Sequence, residues 1–167
     1  MKKILFILVS LLLFTNNAFA VGSCSEALAV PSTKMGDTYQ QSGVKHLVIT
    51  CVGDVSTGTF PAYVITNMAE LTGMVLTNGS FLNGTPGPTA NSTVTLSTSD
   101  RGDILGGAGK GPTAATAGLQ SKFKPIVDTT YLVSGPVPIS GNMTLQISGS
   151  VVASGVAVIV LSFMDSK

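Results

Sequence analysis

The chain has no tryptophan, one histidine, two cysteines and few charges. Lys and Arg number 9 and Asp and Glu 8, so charged residues make up 10% of the 167, against roughly 25% in an average soluble domain. Low charge combined with 44% hydrophobic residues excludes a disordered chain, which needs the opposite balance. It also excludes a coiled coil or helical bundle, which is built from Glu, Lys, Arg and Leu in quantity. Beyond the first three positions the basic residues are Lys34, Lys45, Arg101, Lys110, Lys122, Lys124 and Lys167. They form no stripe that would neutralise phosphates, so no nucleic acid is expected as a partner. Their nearest cluster, Lys122-Phe123-Lys124, reads as the solvated face of a strand. With His46 the only imidazole, two thiolates and one ring leave a zinc site one ligand short. No metal or other cofactor is expected.

What the sequence does contain begins with an export signal over residues 1–20. Met1-Lys2-Lys3 is a positive n-region, Ile4 to Phe14 is apolar except for Ser10, and Ala18-Phe19-Ala20 places small residues where signal peptidase cuts. The apolar run is too short to span a bilayer, which takes about 20 residues, so no membrane segment is expected after cleavage. The competing reading is a lipoprotein signal, Val21-Gly22-Ser23-Cys24, with the lipid on Cys24. Ala20 offers the earlier and better site. The expected location is outside the cytosol: secreted, periplasmic or at the cell surface. Without Lys2 and Lys3 the basic residues number 9 − 2 = 7 against 8 acids, a net charge near −1.

An oxidising compartment lets paired cysteines persist, and Cys24 and Cys51 are expected to form one structural disulfide. It would tie an extended N-terminal segment, residues 21–43, to the strand that carries Cys51. A single domain is expected over 44–167.

Within that domain the pattern is of strands and turns. His46 to Val52 is rich in β-branched residues, with Leu47, Ile49 and Cys51 on one face. Phe60 to Thr66 and Leu71 to Thr77 read as the next two strands, the latter closed by an Asn78-Gly79 turn. Asn67 to Glu70 suits one helical turn. Asn83 to Pro88 is a loop. Thr93 to Ser97 alternates, Asp100 to Asp103 is a turn, and Gly106 to Gly118, without a large apolar residue, reads as a flexible surface loop. Ile126, Val127, Tyr131 and Val133 mark a further strand or two. Met143 to Ser148 has period two, and Val156 to Phe163 is apolar on both faces. About seven or eight strands and no helical stripe give an all-β fold, an antiparallel β-sandwich or jelly roll. The last strand belongs in the middle of a sheet or, alternatively, under a partner subunit, because an exposed edge of this composition would aggregate.

Reactive constellations are missing. No serine sits in a Gly-x-Ser-x-Gly elbow, and His46, opposite Leu47 and Ile49, reads as a surface histidine. Asp100 and Asp103 flank Arg101 in a turn, where such acids bond their own backbone. Gly106-Gly107-Ala108-Gly109-Lys110-Gly111 fails the phosphate-loop spacing, with Ile104 and Gly111 in the diagnostic places. Arg101-Gly102-Asp103 is read as a chance tripeptide. Sequons starting at Asn78, Asn83, Asn91 and Asn142 are read as turn residues and polar strand faces.

The order Gly73-Met74-Val75-Leu76, Thr85 to Ala90, Val94 to Leu96, Asp103 to Gly107, Gly135-Pro136-Val137, Met143 to Ser148 and Val156 to Phe163 resembles small all-β structural proteins of tailed-bacteriophage virions, over residues 70–165. The resemblance implies a non-enzymatic assembly component. The export signal and the cysteine pair are additions to that pattern and suit a secreted bacterial relative. The signal, single disulfide, Ser/Thr/Gly-rich sandwich and apolar last strand also resemble bacterial fimbrial subunits. The expected function is an exported, non-enzymatic structural or interaction protein, a subunit or decoration of an extracellular or virion-like assembly, with a protein partner or self-association. The alternative is a carbohydrate-binding or adhesive module with a glycan partner. No catalytic residue is expected.

Overall fold

The computed structural model describes residues 21–30, 32–35, 38–41, 43–128 and 133–166. The proposed signal and Tyr131 lie outside them. The described residues form fourteen strands and one helical turn. In chain order they are β1 (Ser23–Ala29), β2 (Ser32–Met35), β3 (Thr38–Gln41), β4 (Val44–Val52), β5 (Tyr63–Val64), α1 (Met68–Leu71), β6 (Met74–Asn83), β7 (Thr93–Thr98), β8 (Gly102–Asp103), β9 (Gln120–Phe123), β10 (Ile126–Asp128), β11 (Val133–Ser134), β12 (Val137–Pro138), β13 (Met143–Ser148) and β14 (Val156–Asp165).

The strands make an antiparallel sandwich. The larger sheet runs β1-β4-β14-β6-β12, with β9 also on β6, and the smaller runs β5-β13-β7-β8. Short hairpins β2-β3 and β10-β11 form two-stranded sheets of their own. The inner faces meet in one core: Leu47, Ile49, Phe81, Ile159, Leu161 and Phe163 from the larger sheet, Val94, Leu96, Met143, Leu145 and Ile147 from the smaller. Strand period two puts those residues inside and their neighbours outside. As its composition demands, β14 is central, paired with β4 along nine residues and with β6 on its other side.

Several expectations need correction. The strand count exceeds seven or eight because two- to four-residue strands carry too little pattern to read from sequence. Of Phe60 to Thr66, only Tyr63–Val64 pairs. Asn78-Gly79 is no turn: β6 runs straight through it. The ladder with β14 slips by one residue beside it, leaving Thr77 as a bulge whose hydroxyl donates to the Ser162 carbonyl at 3.0 Å. Gly79 is there for space, since a Cβ would lie 2.1 Å from the Phe123 ring.

The 106–118 segment is also not a free loop. Val94 N–H donates to the Gly109 carbonyl at 2.7 Å, Gly111 N–H to Ser92 at 2.7 Å and Asn91 N–H to Pro112 at 2.9 Å. Gly109, Gly111 and Pro112 are buried. A Cβ on Gly109 would sit 2.2 Å from the Val94 carbonyl oxygen, so the segment is pinned along β7 because it lacks side chains there.

The N-terminal segment is held twice. Cys24 and Cys51 face each other across β1 and β4 and are disulfide-bonded. Two residues on, Glu26 Oε1 accepts the N–H groups of Thr66 (2.9 Å) and Asn67 (2.8 Å), the Asn67 side-chain amide (2.8 Å) and the Thr66 hydroxyl. One carboxylate oxygen therefore joins β1 to the turn that precedes α1. Burial of Tyr63, and after it the Glu26 charge, hold the Tyr63 hydroxyl above the usual tyrosine range. Glu26→Ala strands those donors and is expected to cost about 1.5–3 kcal/mol. Urea unfolding of both proteins measures it.

Candidate functional site

The two outer faces of the sandwich differ. On the smaller sheet the outward positions of β7 and β13 are Thr93, Thr95, Ser97, Thr144, Gln146 and Ser148. This is the ordinary solution for a half-solvated antiparallel sheet. On the larger sheet the register sets outward residues in rows across β1, β4, β14 and β6. One row is Ser25-Thr50-Val158-Leu82, the next is Ala27-Val48-Val160-Ser80, and Val52 faces Val156 above them. These valines and Leu82 are half-buried by their own neighbours, and the β1 residues are exposed. No charged side chain stands in these rows.

The following row is Ala29-His46-Ser162-Asn78. His46 lies outward, as its position opposite Leu47 and Ile49 predicts, and its Nδ1 is hydrogen-bonded to Ser162 Oγ at 3.0 Å. The sequence could not reveal this pair. The residues are 116 positions apart, and only the β4-β14 register brings them together. The pair is a poor nucleophile site. Ser162 is 9% exposed and lies on a strand laddered on both sides, so its backbone offers no pair of free N–H groups to a developing oxyanion. Among the described residues no carboxylate is hydrogen-bonded to the ring, as a serine triad requires.

Where β6 meets β9 the face turns polar. Asn78, Ser80, Gln120, Lys122 and Lys124 line a groove of about 520 Å³, a volume within the range of small-ligand sites. Lys122 stands on a solvated strand face, as expected, and Lys124 is exposed just past the end of β9.

The remaining candidates are structural. Asp103 Oδ1 accepts the N–H groups of Leu96 (3.1 Å) and Leu105 (3.0 Å), and Oδ2 that of Gly107 (2.9 Å). The Arg101-Gly102-Asp103 carboxylate is thus consumed by its own turn. Asp100 accepts the Ser140 hydroxyl at 2.8 Å, which holds its carboxyl below the usual range. Of the sequon asparagines, Asn83 is 3% exposed and donates to the Ala114 and Thr116 carbonyls, leaving no room for a glycan. Among the described residues no group of three or more His, Cys, Asp or Glu could hold a metal ion. No described helix is long and apolar enough to cross a membrane.

Asp54 gives the pH prediction. Its carboxylate takes the Ser56 hydroxyl first, then the Thr57 and Ser56 N–H groups, each at 2.8 Å, and the carboxyl falls from 3.8 to about 2. The folded state favours the ionised form. Its contribution is therefore complete above 3.8 and is lost as the pH falls through about 2. The urea midpoint of the native protein is expected to drop across that interval. Asp54→Asn, having no charge to lose, should drop less.

Comparison with known protein families, with curated proteins and with solved structures finds no match.

Proposed function

We propose that this chain is an exported, non-enzymatic structural or interaction protein, acting outside the cytosol as a subunit or decoration of an extracellular or virion-like assembly. The observation that carries this reading is the outer face of the larger sheet, valine-rich and uncharged across β1, β4, β14 and β6, set against the hydroxyl-covered outer face of the smaller. A sheet face meant for water is polar. An apolar one marks a contact surface. The disulfide supports passage to an oxidising compartment, and the Ser162–His46 pair lacks what a hydrolase requires.

The test is expression of the full chain with its leader in a bacterial host. The expected product is periplasmic, begins at Val21 and carries no free thiol. An uncleaved cytosolic chain with reduced cysteines would overturn the reading. So would turnover of an ester or glycoside substrate that His46→Ala abolishes.

The groove of Asn78, Ser80, Gln120, Lys122 and Lys124 favours a second reading, an adhesive module for an acidic saccharide. Its amides, hydroxyl and two ammonium groups suit sugar hydroxyls and carboxylates, although it offers no exposed aromatic platform. A glycan array bearing uronic and sialic acids decides it: loss of binding in a Lys122→Ala, Lys124→Ala protein supports the reading, and an array without binding ends it.

A further inference from the structure

We infer that the outer face of the six-stranded sheet is the contact between two copies of this chain, stacked sheet on sheet about a two-fold axis centred on β14. The inference rests on the interaction-protein reading and names its first partner.

Three features single out a second copy. The first is shape. Val48, Thr50, Val52, Val156, Val158 and Val160 make a shallow surface of short, branched side chains with no projecting anchor, and the groove begins only at its β6 margin. Its natural complement is another such surface, and two pleated sheets stack about 10 Å apart.

The second is charge. A two-fold contact brings each patch against itself, so any charge at its centre meets its own sign. The central rows carry none, and the first cations, Lys122 and Lys124, sit at the β9 margin where water still reaches them.

The third is extent. At ~3.3 Å per residue and ~4.8 Å between strands, nine residues on each of β4, β14 and β6 and seven on β1, the His46–Ser162 row included, cover roughly 540 Å². Two faces bury about 1,100 Å², just above the roughly 1,000 Å² that a specific interface should clear. Burying half-exposed valines supplies the attraction.

The mature chain, residues 21–167, tests this by sedimentation velocity over a concentration series. A dimer is expected. Val158→Lys places two ammonium groups against each other at the centre and should weaken association at least a hundredfold. Val48→Lys, one strand over, should act the same way. Thr95→Lys, on the outer face of the other sheet, should leave association unchanged. Circular dichroism and the thermal midpoint establish that each variant is folded. A monomer at every concentration overturns the inference. So does association that survives both valine changes, or that Thr95→Lys disrupts equally. Those outcomes leave export and the absence of catalysis standing, since leader cleavage and turnover are read independently.

Discussion

Replacing both cysteines, Cys24→Ala with Cys51→Ala, is expected to cost about 3.5 kcal/mol, the loop-closure entropy of a 27-residue ring. Alanine is the right probe because Cys51 is 1% exposed within the core, where a serine hydroxyl would add its own penalty. The effect should concentrate in β1. Among the described residues that strand pairs only with β4, and apart from the disulfide it is held by one ladder and by Glu26. For a domain of this size the loss corresponds to a midpoint roughly 7–14 °C lower. Urea unfolding of the oxidised protein and the double variant measures the difference, and amide exchange over β1 localises it. A difference under about 1 kcal/mol would mean that β1 and β4 already stay close in the unfolded chain, so that the disulfide removes little freedom there.

Phe81→Ala is expected to cost about 3–5 kcal/mol, the range for emptying a buried aromatic site. Phe81 is fully buried, opposite Ile159 on β14 and Ser121 on β9. Its ring edge also lies 3.5 Å from where a Cβ would stand on Gly111, so it supports the 106–118 segment as well as the sheets. Collapse around the gap is limited because the backbone of that segment is already bonded to β7. The urea midpoint should fall without a change in slope. Exchange protection at Gly111, whose N–H donates to Ser92, should fall with it. A loss below about 2 kcal/mol would show that the segment closes over the cavity and is looser than its hydrogen bonds imply.

Strands with strong alternation were legible in the sequence. β13 spans Met143–Ser148 as read, β7 exceeds its expected end by one residue, and β14 is central for the reason its composition implies. Legibility failed where a local signal competed with a distant contact. Asn78-Gly79 carries turn chemistry, but β14 and β9 pair with that stretch from both sides and the glycine makes room for a ring. Ser23 to Ala29 alternates too. Its inward positions are Cys24, Glu26 and Leu28, and a carboxylate in that series hides the period. Residues 106–118 read as a flexible surface loop because they hold no large apolar side chain, yet packing by bare backbone needs that absence. The contact face itself was invisible. Its valines come from β4 and β14, over a hundred positions apart, and only the register sets them side by side.

The order in which the larger sheet can close follows from β14. A ribosome releases this strand after every other member of that sheet, so β4 and β6 wait with nothing between them until translation reaches Val156. Early fragments can form local hairpins, but the pairings that complete the layer join distant parts of the chain and come late. A nascent chain of this kind stays pliable while it is being made, the state in which a polypeptide can be threaded through a narrow conduit.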